Sequence, residues 1–156
     1  MNINIVCVGN IKEKFIEQAI QEYKQRISKF ANVNIVEVKE EKLTKNYSLK
    51  DIEICVEKES EKILNQLKGY SVLLDIDGKM LSSVELAKKM ENIFLTNSTI
   101  NFIIGGSYGV SEKLKNSVDF RLSFSKLTFP HQLFRVNVLE QIYRAFTIIN
   151  NITYHK

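Results

Sequence analysis

Residues 99–109 read TINFIIGGSYG, an apolar strand that runs into a cluster of glycines. The run from Thr99 to Ile104 has the length and the β-branched content of a buried strand. The glycines leave the main chain uncovered, so a ligand can approach its amides closely. They suit a tight turn between a strand and a helix equally well. The spacing matches neither the GxGxxG fingerprint of dinucleotide-binding enzymes nor the GxxxxGK[ST] phosphate loop.

On both sides of this stretch, short apolar strands alternate with segments of helical periodicity. The pattern predicts strands at 2–9, 33–38, 71–77, 99–104 and 120–125 and helices at 13–29, 51–68, 82–95 and 132–150, with a short helix after Ser111. A capping box formed by Ser82 and Glu85 opens the third of these helices. Such alternation predicts an α/β fold in which helices cover both faces of a parallel sheet. Because no linker or repeat divides the chain, residues 1–156 are expected to form one domain.

Positive charge is concentrated at the C-terminal end of the chain. Residues 1–120 contain 17 basic and 17 acidic residues, whereas the last 36 residues contain five basic residues and Glu140. This asymmetry favours a polyanionic partner such as RNA. The N-terminus has neither a basic leader nor an apolar signal segment, and no apolar run approaches the ~20 residues of a spanning helix. We therefore expect a cytoplasmic protein that does not contact a membrane.

Three loops of unusual composition follow Leu74, Ile104 and Ser123, at the predicted carboxyl ends of strands, where ligands of parallel sheets bind. The first loop contains Asp75 and Asp77, which could accept a phosphoryl group or bind a metal. No other carboxylate cluster supports either role, and the cysteines have no partners at metal-ligand spacing. The sequence therefore predicts no metal site and favours a structural role for both aspartates.

The third loop, residues 124–131, reads FSKLTFPH and differs most from an ordinary connection. Its phenylalanines, hydroxyls and proline suit a rigid loop that presents main-chain hydrogen-bonding groups to a flat ring. His131 follows Pro130 at the predicted start of the last helix. It is a candidate general base, and a purely helix-capping role is equally open.

The last predicted helix carries Arg135 in the middle of a wide apolar face. A charge in that position needs a partner, which could be a carboxylate, a phosphate or a second subunit, unless the side chain reaches past the first turn. The opposite face is apolar as well, which favours burial against a second chain. The closing residues Tyr154 and His155 are chemically rich, although a frayed tail is the ordinary expectation there.

These segments together resemble the RlmH family, small bacterial SPOUT-class enzymes that methylate N3 of a pseudouridine in 23S ribosomal RNA. The resemblance spans nearly the whole chain and rests on four runs of residues, namely 74–79, 104–109, 122–131 with Arg135, and 154–156. Over the first 70 residues only the general pattern matches.

The resemblance implies a SPOUT fold whose C-terminal segment, at about residues 100–150, threads through a loop to form a trefoil knot. It also implies S-adenosylmethionine as the cofactor and a homodimer whose subunits complete each other's site. Carried over by position, the cofactor contacts would be Leu74, Gly105, Phe124, Ser125, Lys126, Leu127, Thr128 and Phe129. The residues facing RNA would be Arg135, Tyr154 and His155, with His131 beside them.

We therefore expect an rRNA methyltransferase that acts on assembled ribosomes. The N3 proton must leave the base, and the candidates to accept it are His131 and the pair formed by Tyr154 and His155. Two other functions are compatible with the sequence. One is a non-catalytic module that binds RNA or ribosomes, and the other is a SPOUT methyltransferase acting on the ribose 2′-OH of tRNA.

Overall fold

Five parallel strands form a single sheet in the computed structural model, which describes residues 1–156. The strands are β1 (Asn2–Val8), β2 (Asn32–Val38), β3 (Tyr70–Met80), β4 (Thr99–Ile104) and β5 (Phe120–Ser123). Their order in the sheet is β2-β1-β4-β3-β5, and every neighbouring pair is parallel. The α/β fold with a parallel sheet is therefore confirmed, and the loops that follow the strands emerge at one edge.

Helices cover both faces of this sheet, as the alternation predicts. They are α1 (Lys14–Ile27), α2 (Leu49–Leu64), α3 (Ser83–Phe94), α4 (Glu112–Ser117) and α5 (His131–Ile149). On one face α5 packs between α1 and α3, and together they cover the large apolar cluster that includes Ile3, Ile5 and Phe102. On the other face α2 and α4 cover a smaller cluster around Val6, Leu73 and Ile103. None of the helices combines the length and the apolar character needed to cross a bilayer.

Serine is the N-cap residue of three helices, α2, α3 and α4. The Ser82 side chain accepts a hydrogen bond from the Glu85 amide, and the Glu85 carboxylate accepts one from the Ser82 amide, so the predicted capping box is confirmed. An equivalent box formed by Ser48 and Asp51 begins α2 two residues earlier than the periodicity indicates. Ser111 caps α4 through the Leu114 amide. Capping of this kind satisfies amides that have no partner within the helix.

The strand β3 departs from its predicted course. The sequence predicts that it ends at Asp77, but the strand continues to Met80 and pairs with β5 in two separate stretches. Leu74 and Lys79 both align with Leu122, so residues 75–78 form a bulge between these stretches. The bulge places Asp75 and Asp77 at the carboxyl edge of the sheet.

Candidate active site

The three loops singled out by their composition surround one cavity at the carboxyl edge of the sheet. The cavity has a volume of about 670 Å³, within the range of small-molecule sites. The bulge after Leu74, the glycine turn after Ile104 and the loop after Ser123 each form part of the wall, and α5 adds His131 and Phe134. The structure thus brings together the predicted cofactor residues Leu74, Gly105, Phe124, Ser125, Leu127, Thr128 and Phe129.

Lys126 is the predicted cofactor residue that the structure does not bring into the cavity wall. Its side chain is turned toward the bulge, where the ammonium group donates to the carbonyl oxygen of Ile76 at 3.3 Å. The side chain therefore ties the third loop to the bulge in β3.

The loop of residues 124–129 has main-chain groups that the fold leaves unused. None of residues 126–129 takes part in a main-chain to main-chain hydrogen bond. Within the loop, the Leu127 amide donates to the Ser125 hydroxyl at 2.9 Å, and the Ser123 hydroxyl donates to the Ser125 carbonyl at 3.2 Å. These contacts shape the loop, while the amides and carbonyls of Thr128 and Phe129 stay available to a ligand, as the loop composition predicts.

A cluster of three phenylalanines fixes this loop to α5. The Phe134 ring stacks on Phe129 with centroids 5.1 Å apart and meets the edge of Phe124 at 5.2 Å. Sequence analysis did not single out Phe134. The signal available to it was the occurrence of three phenylalanines within eleven residues around Pro130. Because Phe134 belongs to α5 and lines the cavity, the last helix contributes an apolar part of the cavity wall.

Of the two roles left open by the sequence of the glycine cluster, the structure shows the tight turn between a strand and a helix. The Gly109 amide donates to the Gly106 carbonyl at 3.0 Å, which closes a tight turn, and Gly109 has a φ of +84°. A Cβ atom on Gly105 would lie 2.6 Å from the Val110 Cγ1, so a side chain there would displace Val110 from the cavity wall. Gly105, Gly106 and Gly109 all line the cavity, so the turn forms part of its wall.

The aspartates of the bulge are engaged in structural contacts. The Asp75 carboxylate accepts two hydrogen bonds from Arg121, at 2.7 and 3.0 Å, and one from the Asp77 amide at 3.0 Å. Burial opposes ionisation of Asp75, but the Asp77 amide and the Arg121 guanidinium outweigh it and lower its pKa. No group of three or more His, Cys, Asp or Glu side chains is arranged to hold a metal ion.

His131 is exposed at the first residue of α5, and it lines the cavity. The helix does not use it as a cap, because the N-cap position belongs to Pro130 and has no side-chain hydrogen bond. The imidazole is therefore free to meet a ligand in the cavity. The neighbouring Gln132 accepts a hydrogen bond from the Lys12 amide at 2.9 Å, which ties the start of α5 to the loop after β1.

Arg135 does not lie on an RNA-facing surface, which corrects the role that the resemblance implied. Its side chain is 1% exposed and forms an ion pair with Glu37 at 3.0 Å. It also donates to the carbonyls of Val8 and Gly9 at 2.9 and 2.8 Å. The sequence left a carboxylate, a phosphate or a second subunit open as the partner of Arg135, and the structure shows the Glu37 carboxylate. Arg135 thus joins α5 to the carboxyl ends of β1 and β2 from inside the protein.

The C-terminal residues are anchored rather than frayed. The Tyr154 ring meets Tyr143 edge to face at 4.9 Å and lies 4.8 Å from the Arg144 guanidinium, and its hydroxyl donates to Glu140 at 3.2 Å. Burial raises the pKa of Tyr154, and the Glu140 carboxylate adds to the rise. The phenol therefore remains protonated and acts as a hydrogen-bond donor at neutral pH. A ring nitrogen of His155 lies 3.4 Å from Arg144.

One chain does not bring the three candidate catalytic residues together. His131 lies at the first residue of α5, whereas Tyr154 and His155 pack against residues 140–144 of the same helix. At 1.5 Å per residue, these contacts begin roughly 14 Å further along the helix axis. Neither tail residue lines the cavity.

Comparison with known proteins finds methyltransferases that match this chain over its full length or nearly so. A family model described as "Predicted SPOUT methyltransferase" matches residues 1–155. A protein of Clostridium botulinum named ribosomal RNA large subunit methyltransferase H is 53% identical over 159 residues. A protein of the same name from Clostridioides difficile is 50% identical. Both alignments cover 100% of this chain and of the relative.

The fold also resembles a solved structure of low sequence identity. A structure described as a probable methylase family protein from Haemophilus influenzae superposes with a TM-score of 0.56 at 13% identity. The superposition covers 99% of this chain and 70% of the other. At this identity the similarity concerns the fold alone.

Proposed function

Because the chain belongs to the SPOUT methyltransferase family and, within it, to the RlmH group of ribosomal RNA large subunit methyltransferases, we propose that it methylates N3 of a pseudouridine in 23S ribosomal RNA. In this proposal S-adenosylmethionine is the methyl donor, the substrate is the assembled ribosome in the cytoplasm, and the active species is a homodimer. The full-length relatives support the coarser part of the proposal, methylation of large-subunit rRNA.

The observation that carries the proposal is the composition of the cavity wall. It combines an apolar, aromatic surface at Phe129 and Phe134 with unused main-chain groups at Thr128 and Phe129 and the main chain of the glycine turn. This donor set fits S-adenosylmethionine, because an adenine ring needs apolar walls and its edge and the ribose need hydrogen-bonding groups. The bound cofactor supplies a methyl group activated by a sulfonium.

The chain itself must orient the target base and remove a proton. Methyl transfer requires the base nitrogen in near-attack geometry, and the imide nitrogen is a poor nucleophile while it holds its proton. His131 lines the cavity and is exposed, so a ring nitrogen of its imidazole can accept the N3 proton. The raised pKa of Tyr154 suits hydrogen-bond donation better than proton acceptance. Tyr154 and His155 would then hold the RNA, and Arg135 would hold the start of α5 in position.

A second copy of the chain would bring the tail to the cavity. Within one chain the tail lies roughly 14 Å or more along α5 from His131. Phe15 and Leu133, 65% and 42% exposed, leave an apolar surface at the adjoining starts of α1 and α5. In a two-fold dimer formed through α5, the tail of one subunit can approach the cavity of its partner.

The proposal also includes a knot at about residues 100–150. It is supported by the path of the chain, because β5 lies at one edge of the sheet while α5 returns to lie between α1 and α3. In the proposed knot, the connection between them passes through the preceding loops. An experimental chain trace that runs residues 124–130 outside those loops would contradict the knot.

The activity is tested by methyl incorporation from labelled S-adenosylmethionine into intact ribosomes, separated subunits and tRNA. We expect incorporation into 23S rRNA of intact ribosomes, with N3-methylpseudouridine found by mass analysis of the nucleosides. A 2′-O-methyl group in tRNA would instead support the ribose methyltransferase. Failure to bind S-adenosylmethionine in calorimetry would support the non-catalytic module.

Mixing of two inactive variants tests the shared site. We expect His131→Ala and a deletion of residues 154–156 each to abolish turnover. If the tail acts on the partner's cavity, an equimolar mixture of the two regains activity, approaching about one quarter of the wild-type rate when subunits exchange freely. Lys156→Ala is the matched control for the deletion. A mixture that stays inactive, although heterodimers are present, would contradict a shared site.

A further inference from the structure

Two tyrosine rings beside the cavity remain half exposed and have no role in the proposed mechanism. Tyr47 is 47% exposed and Tyr108 is 46% exposed. The rings meet edge to face, with centroids 6.2 Å apart and planes at 66°. Tyr108 lines the cavity and Tyr47 lies outside its wall, so the pair extends from the cavity outward.

The Tyr108 ring is held by a turn that is fixed at both ends. Tyr108 is the third residue of the turn closed between Gly106 and Gly109. On one side Gly106 packs closely against Glu59 of α2, because a Cβ atom there would lie 2.4 Å from the carboxylate. On the other side the Ser111 amide donates to the Ser60 hydroxyl at 2.8 Å. The turn is thus attached to α2 at consecutive residues.

The Tyr47 ring is held by the same helix. Tyr47 directly precedes Ser48, the N-cap of α2, so its main chain is fixed by the capping box. The preceding loop is also attached to α2, because the Glu41 amide donates to Glu59 at 2.9 Å. Glu59 therefore contacts both the loop that leads to Tyr47 and the turn that carries Tyr108. Main chain held in this way loses little conformational freedom when its side chains bind a ligand.

Lysines are found on the segments that carry the rings and in the wall of the cavity. Lys42 and Lys45, on the loop before Tyr47, are exposed and form no ion pair. Lys115 lines the cavity and is paired with Glu112 at 2.9 Å. Exposed aromatic rings beside cations are the usual surface on which proteins stack the bases of single-stranded RNA, because every base offers a π-face and the cations attract phosphates.

We propose that Tyr47 and Tyr108 form a stacking shelf for an unpaired RNA base adjacent to the nucleotide that enters the cavity. The base stacks on Tyr108, and Tyr47 supports that ring from the side and extends the surface away from the cavity. This assignment rests on the proposed function, since it requires an RNA nucleotide in the cavity. It adds to that function a means of recognising the neighbouring nucleotide.

The shelf is tested with the double variant Tyr47→Ala/Tyr108→Ala and its conservative counterpart Tyr47→Phe/Tyr108→Phe. Cosedimentation gives the affinity for intact ribosomes, and calorimetry gives the affinity for S-adenosylmethionine. We expect the alanine variant to weaken ribosome binding about tenfold or more and to raise KM for ribosomes. The phenylalanine variant should remain within about twofold of the wild type, because stacking needs only the ring. Cofactor affinity should fall by a smaller factor than ribosome affinity, because Tyr47 lies outside the cavity wall.

Leu95→Ala is the matched control, because Leu95 is an exposed apolar residue at the end of α3, outside the cavity wall. Unchanged ribosome affinity in the alanine variant would overturn the shelf, and so would an equal loss of cofactor affinity. Wild-type protein that binds ribosomes through these rings but transfers no methyl group would support the shelf and refute the proposed function. If the wild type transfers methyl groups but loss of both rings leaves ribosome binding unchanged, the proposed function is supported and the shelf is refuted.

Discussion

The buried charge of Arg135 shows which part of a residue's role can be predicted from sequence and which part requires the structure. Its position on an apolar helix face predicts that the charge needs a partner, and the structure supplies Glu37 and two carbonyls. The identity of the partner could not be read from the sequence, because Glu37 lies 98 residues away and the two meet only when α5 has packed on the sheet. The RNA-facing role implied by the resemblance was wrong for the same reason.

Replacement of Arg135 by alanine tests its role inside the protein. We expect the free energy of unfolding in urea to fall by about 2–4 kcal/mol, since two carbonyls and a carboxylate lose their donor in a buried setting. Arg26→Ala removes an exposed pair with Glu22 and should lower the free energy of unfolding far less. Weaker ribosome binding by a variant of unchanged stability would contradict the positioning role.

Glu59 gives a second prediction for a single side chain. Burial raises the pKa of its carboxyl, although the Glu41 amide opposes the rise. The folded protein therefore binds this proton more tightly than the unfolded chain does, and the contribution to stability falls as pH rises above about 4.3. Glu59→Gln should raise the melting temperature relative to the wild type at about pH 7 and give no such gain at about pH 4. Glu57→Gln, on the exposed side of α2, is the control, and a gain independent of pH would contradict the assignment.

Among the elements, local signals predicted some boundaries well and others poorly. The bounds of β4 and the capping box of α3 were confirmed because they depend on neighbouring residues. The end of β3 was predicted wrongly, because the bulge at residues 75–78 is set by pairing with β5. The three loops of the cavity were recognised from composition, whereas the contact of Phe134 with two of their residues depends on the packing of α5.

Gly78 tests the importance of that bulge. A Cβ atom on Gly78 would lie 2.7 Å from the main-chain carbon of Arg121, and a main chain paired in a sheet cannot move aside easily. Gly78→Ala is expected to lower the free energy of unfolding by about 2 kcal/mol or more and to weaken S-adenosylmethionine binding in calorimetry. Ile76→Ala, an exposed position in the same bulge, should change stability by less than about 1 kcal/mol. Equal stability of the two variants would mean that β5 adapts to the added methyl group.

At the scale of the whole molecule, the proposed homodimer depends on surfaces that pair only between two copies of the chain. Sequence composition suggested that α5 is apolar on more than one side, and the structure leaves Phe15 and Leu133 exposed at the adjoining starts of α1 and α5. A single chain could not reveal which surface pairs with which, because that depends on contacts between copies. The positive charge of the C-terminal residues lies partly on the same helix and tail.

Charge introduced at this apolar surface tests the dimer. We expect the wild type to sediment as a dimer and Phe15→Glu/Leu133→Glu to sediment as a folded monomer with strongly reduced turnover, because two carboxylates per subunit would be buried at the interface. Leu95→Glu is the control, since Leu95 is 79% exposed at the far end of α3. A wild type that is monomeric at assay concentrations and fully active would contradict the dimer.

The contact of Phe134 with Phe124 and Phe129 has a thermodynamic consequence for such a dimer. The ring attaches one wall of the cavity to α5, so subunit association through α5 and ligand binding in the cavity act on the same structural unit. If association orders this unit, linkage requires that the cofactor strengthen dimerisation by the factor by which dimerisation strengthens cofactor binding. Dilution would then release the ligand and the partner together.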